Sequence, residues 1–367
     1  MEIKPIKIES LKDLPEAPIS QGTTLVRKTG SWKNVRPVMG ERSAPCENAC
    51  PLKVRIPKFI DHLTKNDPEK AAYSILSQNP FPTITGRLCP AKCEVGCNRN
   101  KYDEKISIRE LERFLGDYLI DKKYIPAHTK IGKKALIFGS TLSSMSAAYA
   151  LLSKGYDVIM ISKTGKSFED IRDRLPETVV QKEENILLNA GLELKAGDMS
   201  PVAELVQNYD VILITSSYLK EDIKVEDPKT GRTNVNRVYV LFEDQDVSKA
   251  IKNALNTASF TEALLKGEEY REEKLPRVVS FREIITDYFN HENAISEIRE
   301  MGEAIKEALR CFSCGTCNSC GNCYVFCPDT AVKWIDNFPV FDYDYCKGCG
   351  VCVNECPRGV LELVPEK

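Results

Sequence analysis

Two runs of cysteine near the C-terminus have the spacing of iron ligands. The first is Cys317-x2-Cys320-x2-Cys323-x3-Cys327-Pro328, the second Cys346-x2-Cys349-x2-Cys352-x3-Cys356-Pro357. Three thiolates at spacing three wrap one corner of a [4Fe-4S] cubane, and a fourth followed by proline is turned toward the neighbouring cluster. The spacing therefore assigns Cys317, Cys320, Cys323 and Cys356 to one cubane and Cys346, Cys349, Cys352 and Cys327 to another. A disulfide framework would need an oxidising compartment, and zinc sites do not normally combine this triple spacing with Cys-Pro. The chemistry implied is electron transfer. It depends on where clusters are placed and how burial and hydrogen bonds set their potentials.

An earlier cysteine group is less regular: Cys46-x3-Cys50-Pro51, then Cys89-Pro90-x2-Cys93-x3-Cys97. This is not a common zinc spacing, and five thiols are one more than a single cubane uses. Together with Ile56-Pro57-x-Phe59-Ile60 and Asn79-Pro80-Phe81-Pro82-x3-Gly86-Arg87, the segment resembles the N-terminal iron–sulfur domain of the NADPH-dependent glutamate synthase small subunit. The same domain occurs in dihydropyrimidine dehydrogenase. The resemblance implies one cubane held by Cys50, Cys89, Cys93 and an oxygen of Glu112, which lies in Ile106-Ser-Ile108-x2-Leu111-Glu112. Taken by itself, Glu112 also reads as a solvated charge beside Arg109 and Arg113.

The second cubane of that domain implies Cys46, Cys97 and a Cys-x2-Cys pair just upstream. Residues 38–45 contain no cysteine. An unclaimed pair, Cys311-x2-Cys314, stands immediately before the C-terminal motif. If it folds back, fifteen cysteines and Glu112 supply sixteen donors, enough for four cubanes. If it does not, the head holds one cluster and Cys311 and Cys314 are buried thiols.

The elements that must position these ligands divide the chain. The fold class expected is multidomain: a helical iron–sulfur head, an α/β Rossmann-like parallel-sheet domain and an α+β two-cluster ferredoxin domain. Residues 1–43, with Pro5, Pro15, Pro18 and Pro37, read as an extended docking arm. Residues 44–127 form the head, with helices expected over 57–66 and 68–79, each opened by proline, and an amphipathic helix over 108–122. Residues 128–267 alternate strand and helix, the pattern of a parallel sheet with right-handed crossovers. A helical linker is expected over 268–309, and the ferredoxin domain over 310–367.

The turn after the first strand should carry Gly-x-Gly-x-x-Gly if a pyrophosphate is to approach the helix N-terminus. The residues are Gly139-Ser-Thr141-Leu-Ser-Ser144, and the second strand ends in Ser162-Lys163 with no acid for a ribose. Only Gly139 remains as a weak nucleotide-site residue. The resemblance to the glutamate synthase small subunit continues through Arg174-Leu-Pro176, Leu188-x2-Ala-Gly191 and Asp244. About 20 residues separate Thr215 from Asn236, where that family inserts an NADPH-binding domain. Neither FAD nor NAD(P) is therefore expected, although a weakened site retaining FAD is the alternative reading. In the arm, Thr29-Gly-Ser-Trp32-Lys-x2-Arg36-Pro37 resembles the opening of the delta subunit of 2-oxoacid:acceptor oxidoreductases.

With 367 residues, 42% hydrophobic and 28% charged, the chain has ordinary globular composition and room for several cores. A net charge of −2 gives no reason to expect nucleic acid. No apolar run reaches the roughly 20 residues needed to span a bilayer. Nothing resembles a signal peptide, so a cytoplasmic protein is expected. The three histidines, His62, His128 and His291, stand apart from one another and read as surface or packing residues. No nucleophile or acid–base pair suggests catalysis. The expectation is an electron-transfer subunit of an anaerobic oxidoreductase, a delta-type 2-oxoacid:acceptor subunit being the specific form. Its partners would be catalytic subunits and other electron carriers. The alternative is a flavin-containing NAD(P)H:acceptor subunit.

Overall fold

The structure, a computed structural model, describes residue 12 and residues 29–122, 124–126, 129–271 and 274–366. Most of the expected arm, and His128, lie outside the described residues. The described end of the arm is not free. Strand β1 (Val35–Met39) pairs antiparallel with the last strand of the chain, Val35 opposite Pro365 and Met39 opposite Leu361. The next strand, β2 (Arg42–Ser43), lies parallel to Arg277–Val278.

The head comprises α1 (Pro45–Ala49), α2 (Ile56–Thr64), α3 (Pro68–Leu76), α4 (Pro82–Leu88), α5 (Lys92–Val95) and α6 (Ile108–Asp121). Proline opens α2, α3 and α4 at positions where no intrahelical N–H is needed. Asp67 caps α3 by accepting from the Lys70 N–H at 3.0 Å. Apolar residues at helical spacing (Ile108, Leu111, Leu115 and Leu119) bury one face of α6. The α4–α6 crossing is backbone to backbone. A Cβ on Gly86 would stand 2.5 Å from Cα of Arg113, and one on Gly116 2.4 Å from N of Thr83.

Seven strands make the central sheet: β3 (Lys134–Phe138), β4 (Asp157–Ser162), β5 (Glu193–Ala196), β6 (Val211–Thr215), β7 (Val225–Asp227), β8 (Arg232–Thr233) and β9 (Val238–Leu241). They lie in the order β5-β4-β3-β6-β9-β8-β7. The first five of that order run parallel, and β8 and β7 add an antiparallel edge. The parallel strands thus stand third, second, first, fourth, fifth, the order of a doubly wound sheet. Alternate residues of β3 serve two cores. Ala135 and Ile137 join α7 (Leu142–Ser153), α8 (Glu177–Asn189), α10 (Val247–Lys266) and the head. Leu136 and Phe138 face the side of α9 (Val202–Asn208). Head and sheet therefore share one continuous core. Strand β5, helix α9 and the β7–β8 hairpin were not expected: β5 and α9 are short and half-exposed, with little hydrophobic periodicity.

The expected helical linker over 268–309 is mostly not helix. After the two-residue strand β10 (Arg277–Val278) come two 3-10 turns, and α-helix appears only in α11 (Met301–Leu309). The physical reason lies in the head, whose side chains satisfy the backbone of 290–298. Arg99 donates to the Asn290 carbonyl (2.6 Å) and Arg113 to that of Ile298 (2.6 Å). Asp103 and Glu104 accept from the N–H groups of Glu292 and Ala294. A chain bonded this way has no call for an intrahelical ladder.

The C-terminal domain contains α12 (Asn322–Val325), the antiparallel pair β11 (Val332–Ile335) and β12 (Phe338–Phe341), α13 (Val351–Asn354) and β13 (Leu361–Pro365). Each one-turn helix follows a glycine of positive φ, Gly321 at 87° and Gly350 at 79°. The pairing of β1 with β13 builds residues 35–39 into this domain.

Candidate iron–sulfur centres

The thiols fall into four groups. Cys317, Cys320, Cys323 and Cys356 line one cavity together with Met39 and Arg358. Cys327, Cys346, Cys349 and Cys352 line another beside Pro37 and Phe341. Helices α12 and α13 carry Cys323 and Cys352, and each chain then hands its next cysteine to the other cavity. Burial pushes the Cys323 thiol up to about 12, helped by the charges of Cys320 and Cys317. Burial does the same to Cys352, reinforced by Cys327, Cys346 and Cys349.

In the head, Cys50 is raised to about 11 by burial, with Glu112 and Cys89 adding to it. Cys93 is raised further, by burial and then by Glu112, Cys50 and Cys89. Glu112 therefore faces three thiols and is no solvated charge. Its Oε1 accepts from Asn79 Nδ2 (2.5 Å) and from Thr85 Oγ1. It keeps some accessible surface, yet the protein around it pushes the carboxyl up to about 7. A carboxylate with one oxygen anchored and three thiols around it has the donor chemistry of an iron site.

The fourth group spans the chain. Cys46 is buried, and after burial the charges that raise it most belong to Cys97, Cys311 and Cys314. Asn98 Nδ2 lies 3.5 Å from Cys314 Sγ, and the Ser313 N–H donates to Cys311 Sγ at 3.3 Å. Buried ion pairs hold this meeting in place. Arg99, almost fully buried, donates to both Asp103 oxygens (2.6 and 2.5 Å) and to the Arg310 carbonyl (2.9 Å). Arg310 bonds Glu307 (2.7 Å) and the Glu104 carbonyl (2.7 Å), and Glu307 accepts from the Ser107 N–H (2.8 Å). These charges are bonded from several sides, as burial of an ion requires, with Arg310 Nε left without a partner among the described residues. The Arg99–Asp103 and Glu307–Arg310 pairs are local, but nothing in their spacing shows that the two meet, since the bonds joining them span about 200 residues.

Among the described residues no three His, Cys, Asp or Glu side chains could share a single metal ion. A cubane asks for something different, because each thiolate binds its own iron at a corner of the cube. Crowded buried thiols raised toward 11–12 resist ionising as bare groups. A cationic iron core removes that cost, as coordination deprotonates a thiol outright. The donor sets fit [4Fe-4S] clusters.

The turn after β3 is filled by the chain itself. The Leu142 N–H at the start of α7 donates to Asp170 Oδ1 at 2.8 Å, and the Ser140 carbonyl accepts from the Glu169 N–H at 3.1 Å. Thr141 caps the helix. A Cβ on Gly139 would meet Thr215 Oγ1 at 2.4 Å. The place where a pyrophosphate would be received holds a carboxylate. His291 stacks on Tyr102 at 3.8 Å, and His62 lies on α2.

Comparison with known proteins meets this geometry at both ends. Residues 38–124 match the family described as dihydropyrimidine dehydrogenase domain II, 4Fe-4S cluster, and residues 338–361 match a 4Fe-4S binding domain. Both ends of the chain are 4Fe-4S domains. An NAD-dependent dihydropyrimidine dehydrogenase subunit PreT homolog of Salmonella typhi is 30% identical over 186 residues, covering 47% of this chain and 45% of that protein. The NADPH-Fe(3+) oxidoreductase subunit beta of Geobacter sulfurreducens is 24% identical over 195 residues, 49% of this chain and 29% of its own length. Glutamate synthase [NADH] of Schizosaccharomyces pombe is 25% identical over 231 residues, 54% of this chain and 11% of that protein. The chain thus spans less than half the length of these curated relatives. Among the described residues no helix is long and apolar enough to cross a membrane.

Proposed function

We propose that the chain is an electron-transfer subunit of a multi-subunit oxidoreductase, carrying four cubanes in one line. The observation that carries this reading is the meeting of Cys311 and Cys314 with Cys46 and Cys97. It gives the head its second donor set and sets that group next to the ferredoxin domain, since Cys314 and Cys317 are three residues apart. The order follows from shared elements. Helix α1 and its cap carry Cys46 and Cys50, and α5 with the residues after it carries Cys93 and Cys97, so the two head groups are neighbours. Helices α12 and α13 join the two C-terminal groups in the same way. The line therefore runs from Cys50/Cys89/Cys93/Glu112 through Cys46/Cys97/Cys311/Cys314 and Cys317/Cys320/Cys323/Cys356 to Cys327/Cys346/Cys349/Cys352.

The clusters supply the electron storage, and the residues of this chain bury, space and hydrogen-bond them. The sheet acts as a scaffold without nucleotide: Asp170 at the start of α7 and Thr215 against Gly139 support this. The specific assembly we favour is an anaerobic 2-oxoacid:acceptor oxidoreductase. The arm motif at 29–37 leads directly into β1, and β1 completes the ferredoxin domain, so the two features that suggest a delta-type subunit form one unit.

A second reading is a flavin-containing NAD(P)H:acceptor subunit. It is favoured by the doubly wound strand order and by relatives named for nicotinamide-dependent reactions. Optical and redox titration of anaerobically purified protein decides between them. The first reading expects broad iron–sulfur absorbance bleached stepwise by reductant, with no flavin. One flavin per chain, bleached by NADH or NADPH, would replace it with the second.

A further inference from the structure

Arg358 sits where the two halves of the proposed line meet. It follows Cys356-Pro357 in sequence and lines the cavity of Cys317, Cys320 and Cys323. Its Nη1 donates to the Phe312 carbonyl at 2.6 Å, between Cys311 and Cys314. Its Nε donates to Asn318 Oδ1 at 2.6 Å, between Cys317 and Cys320. The main chain repeats the link, because the Arg358 carbonyl accepts from the Gly315 N–H at 2.7 Å. Gly315 has φ +70°, the left-handed turn that reverses the chain between the two groups. The guanidinium also lies over the Phe289 ring, 5.4 Å from its centroid, which shields one face from water. Its charge acts on Cys311 on one side and on Cys317 on the other.

We propose that Arg358 is a positioning residue for electron passage between the head and the ferredoxin domain, clamping both ligand segments and setting one fixed positive charge between their clusters. This rests on the four-cluster reading above. The planar fork holds a carbonyl and an amide oxygen through two donors in fixed geometry, Nη1 and Nε, where a lysine would offer a point charge on a flexible stem. A reduced cluster carries one more negative charge than its oxidised form, so a half-buried cation beside it favours reduction and raises the potential. Acting on both neighbours, Arg358 lifts both potentials together and leaves the step between them unaltered. One electron crosses, no bond is made or broken, and the guanidinium, permanently protonated, takes up no proton.

The test is a redox titration of the full-length holoprotein followed by electron paramagnetic resonance, with iron counted in each sample. Arg358→Gln is expected to keep its iron and to lower two of the four reduction steps about tenfold in equilibrium constant, about 59 mV for a one-electron couple. Arg358→Lys is expected to recover most of that shift. Should Arg358→Gln lose iron, Asn318→Asp decides the matter: it keeps the hydrogen bond, offsets the charge and is expected to lower the same two steps. Iron-replete variants with all four steps unmoved would overturn the proposal, as would a shift confined to one step. Wild-type protein holding about twelve irons would instead remove the four-cluster reading itself, before any variant is made.

Discussion

At the scale of single residues, the cysteine spacings that bring the C-terminal thiols around two cavities were legible because they are local. A cysteine run whose thiolates take three irons of one cubane repeats every three residues, and the chain carries that signature twice. Glu112 was legible only through resemblance. What supports its proposed role as a donor is the pair of hydrogen bonds from Asn79 and Thr85 on one oxygen, which no spacing rule contains. Glu112→Ala is expected to lower iron from about sixteen toward twelve per chain while the signals of the C-terminal clusters persist. Iron and spectra identical to wild type would return Glu112 to a buried structural acid.

Glu183, on α8, is 1% exposed, and its Oε1 has no hydrogen-bond partner among the described residues. Burial raises its carboxyl from 4.5 to about 7, opposed by Thr83 and Arg87 and helped by the charge of Asp117. The folded state therefore holds the proton more tightly than the unfolded chain. That contribution is complete below pH 4.5 and is lost as pH rises to 7, at most about 3 kcal/mol. Glu183→Gln should thus raise the melting temperature at pH 8 and change it little at pH 4.5. Equal effects at both pH values would contradict this.

At the scale of elements, helices with strong local signals were legible: α2 and α3 fall where proline opens a helix, and α6 where apolar spacing puts one. Two kinds of segment were not. Strand β1 reads as an arm because Pro37 breaks the look of a strand, yet proline is tolerated at a sheet edge, and among the described residues β1 pairs only with β13. Residues 290–298 read as helix because their carbonyl and amide partners come from Arg99, Asp103, Glu104 and Arg113, far away in sequence. The α4–α6 crossing shows how an element places a ligand. With Gly86 and Gly116 at the contact, the helices approach closely enough for Asn79 and Thr85 to reach Glu112. Gly116→Ala would force them apart at about 1–3 kcal/mol. The expected outcome is a lower melting temperature together with loss of iron from the head, read by iron analysis. A variant with full iron and unchanged melting would show that the crossing has slack.

At the scale of the whole molecule, the ends are brought together twice, by β1 against β13 and by the thiols of 46, 97, 311 and 314. The sheet between them is fused to the head through one core, so it fixes where the chain leaves for its return. In the arrangement we propose, a cluster would close a loop of more than two hundred residues, and its binding energy would become folding energy. Loss of that cluster should both interrupt electron flow and loosen the fold. The most direct measurement is anaerobic iron analysis of the Cys311→Ser/Cys314→Ser variant beside wild type. The account predicts a fall from about sixteen irons to about twelve, four per cubane, with a lower melting temperature. An unchanged iron count would contradict it.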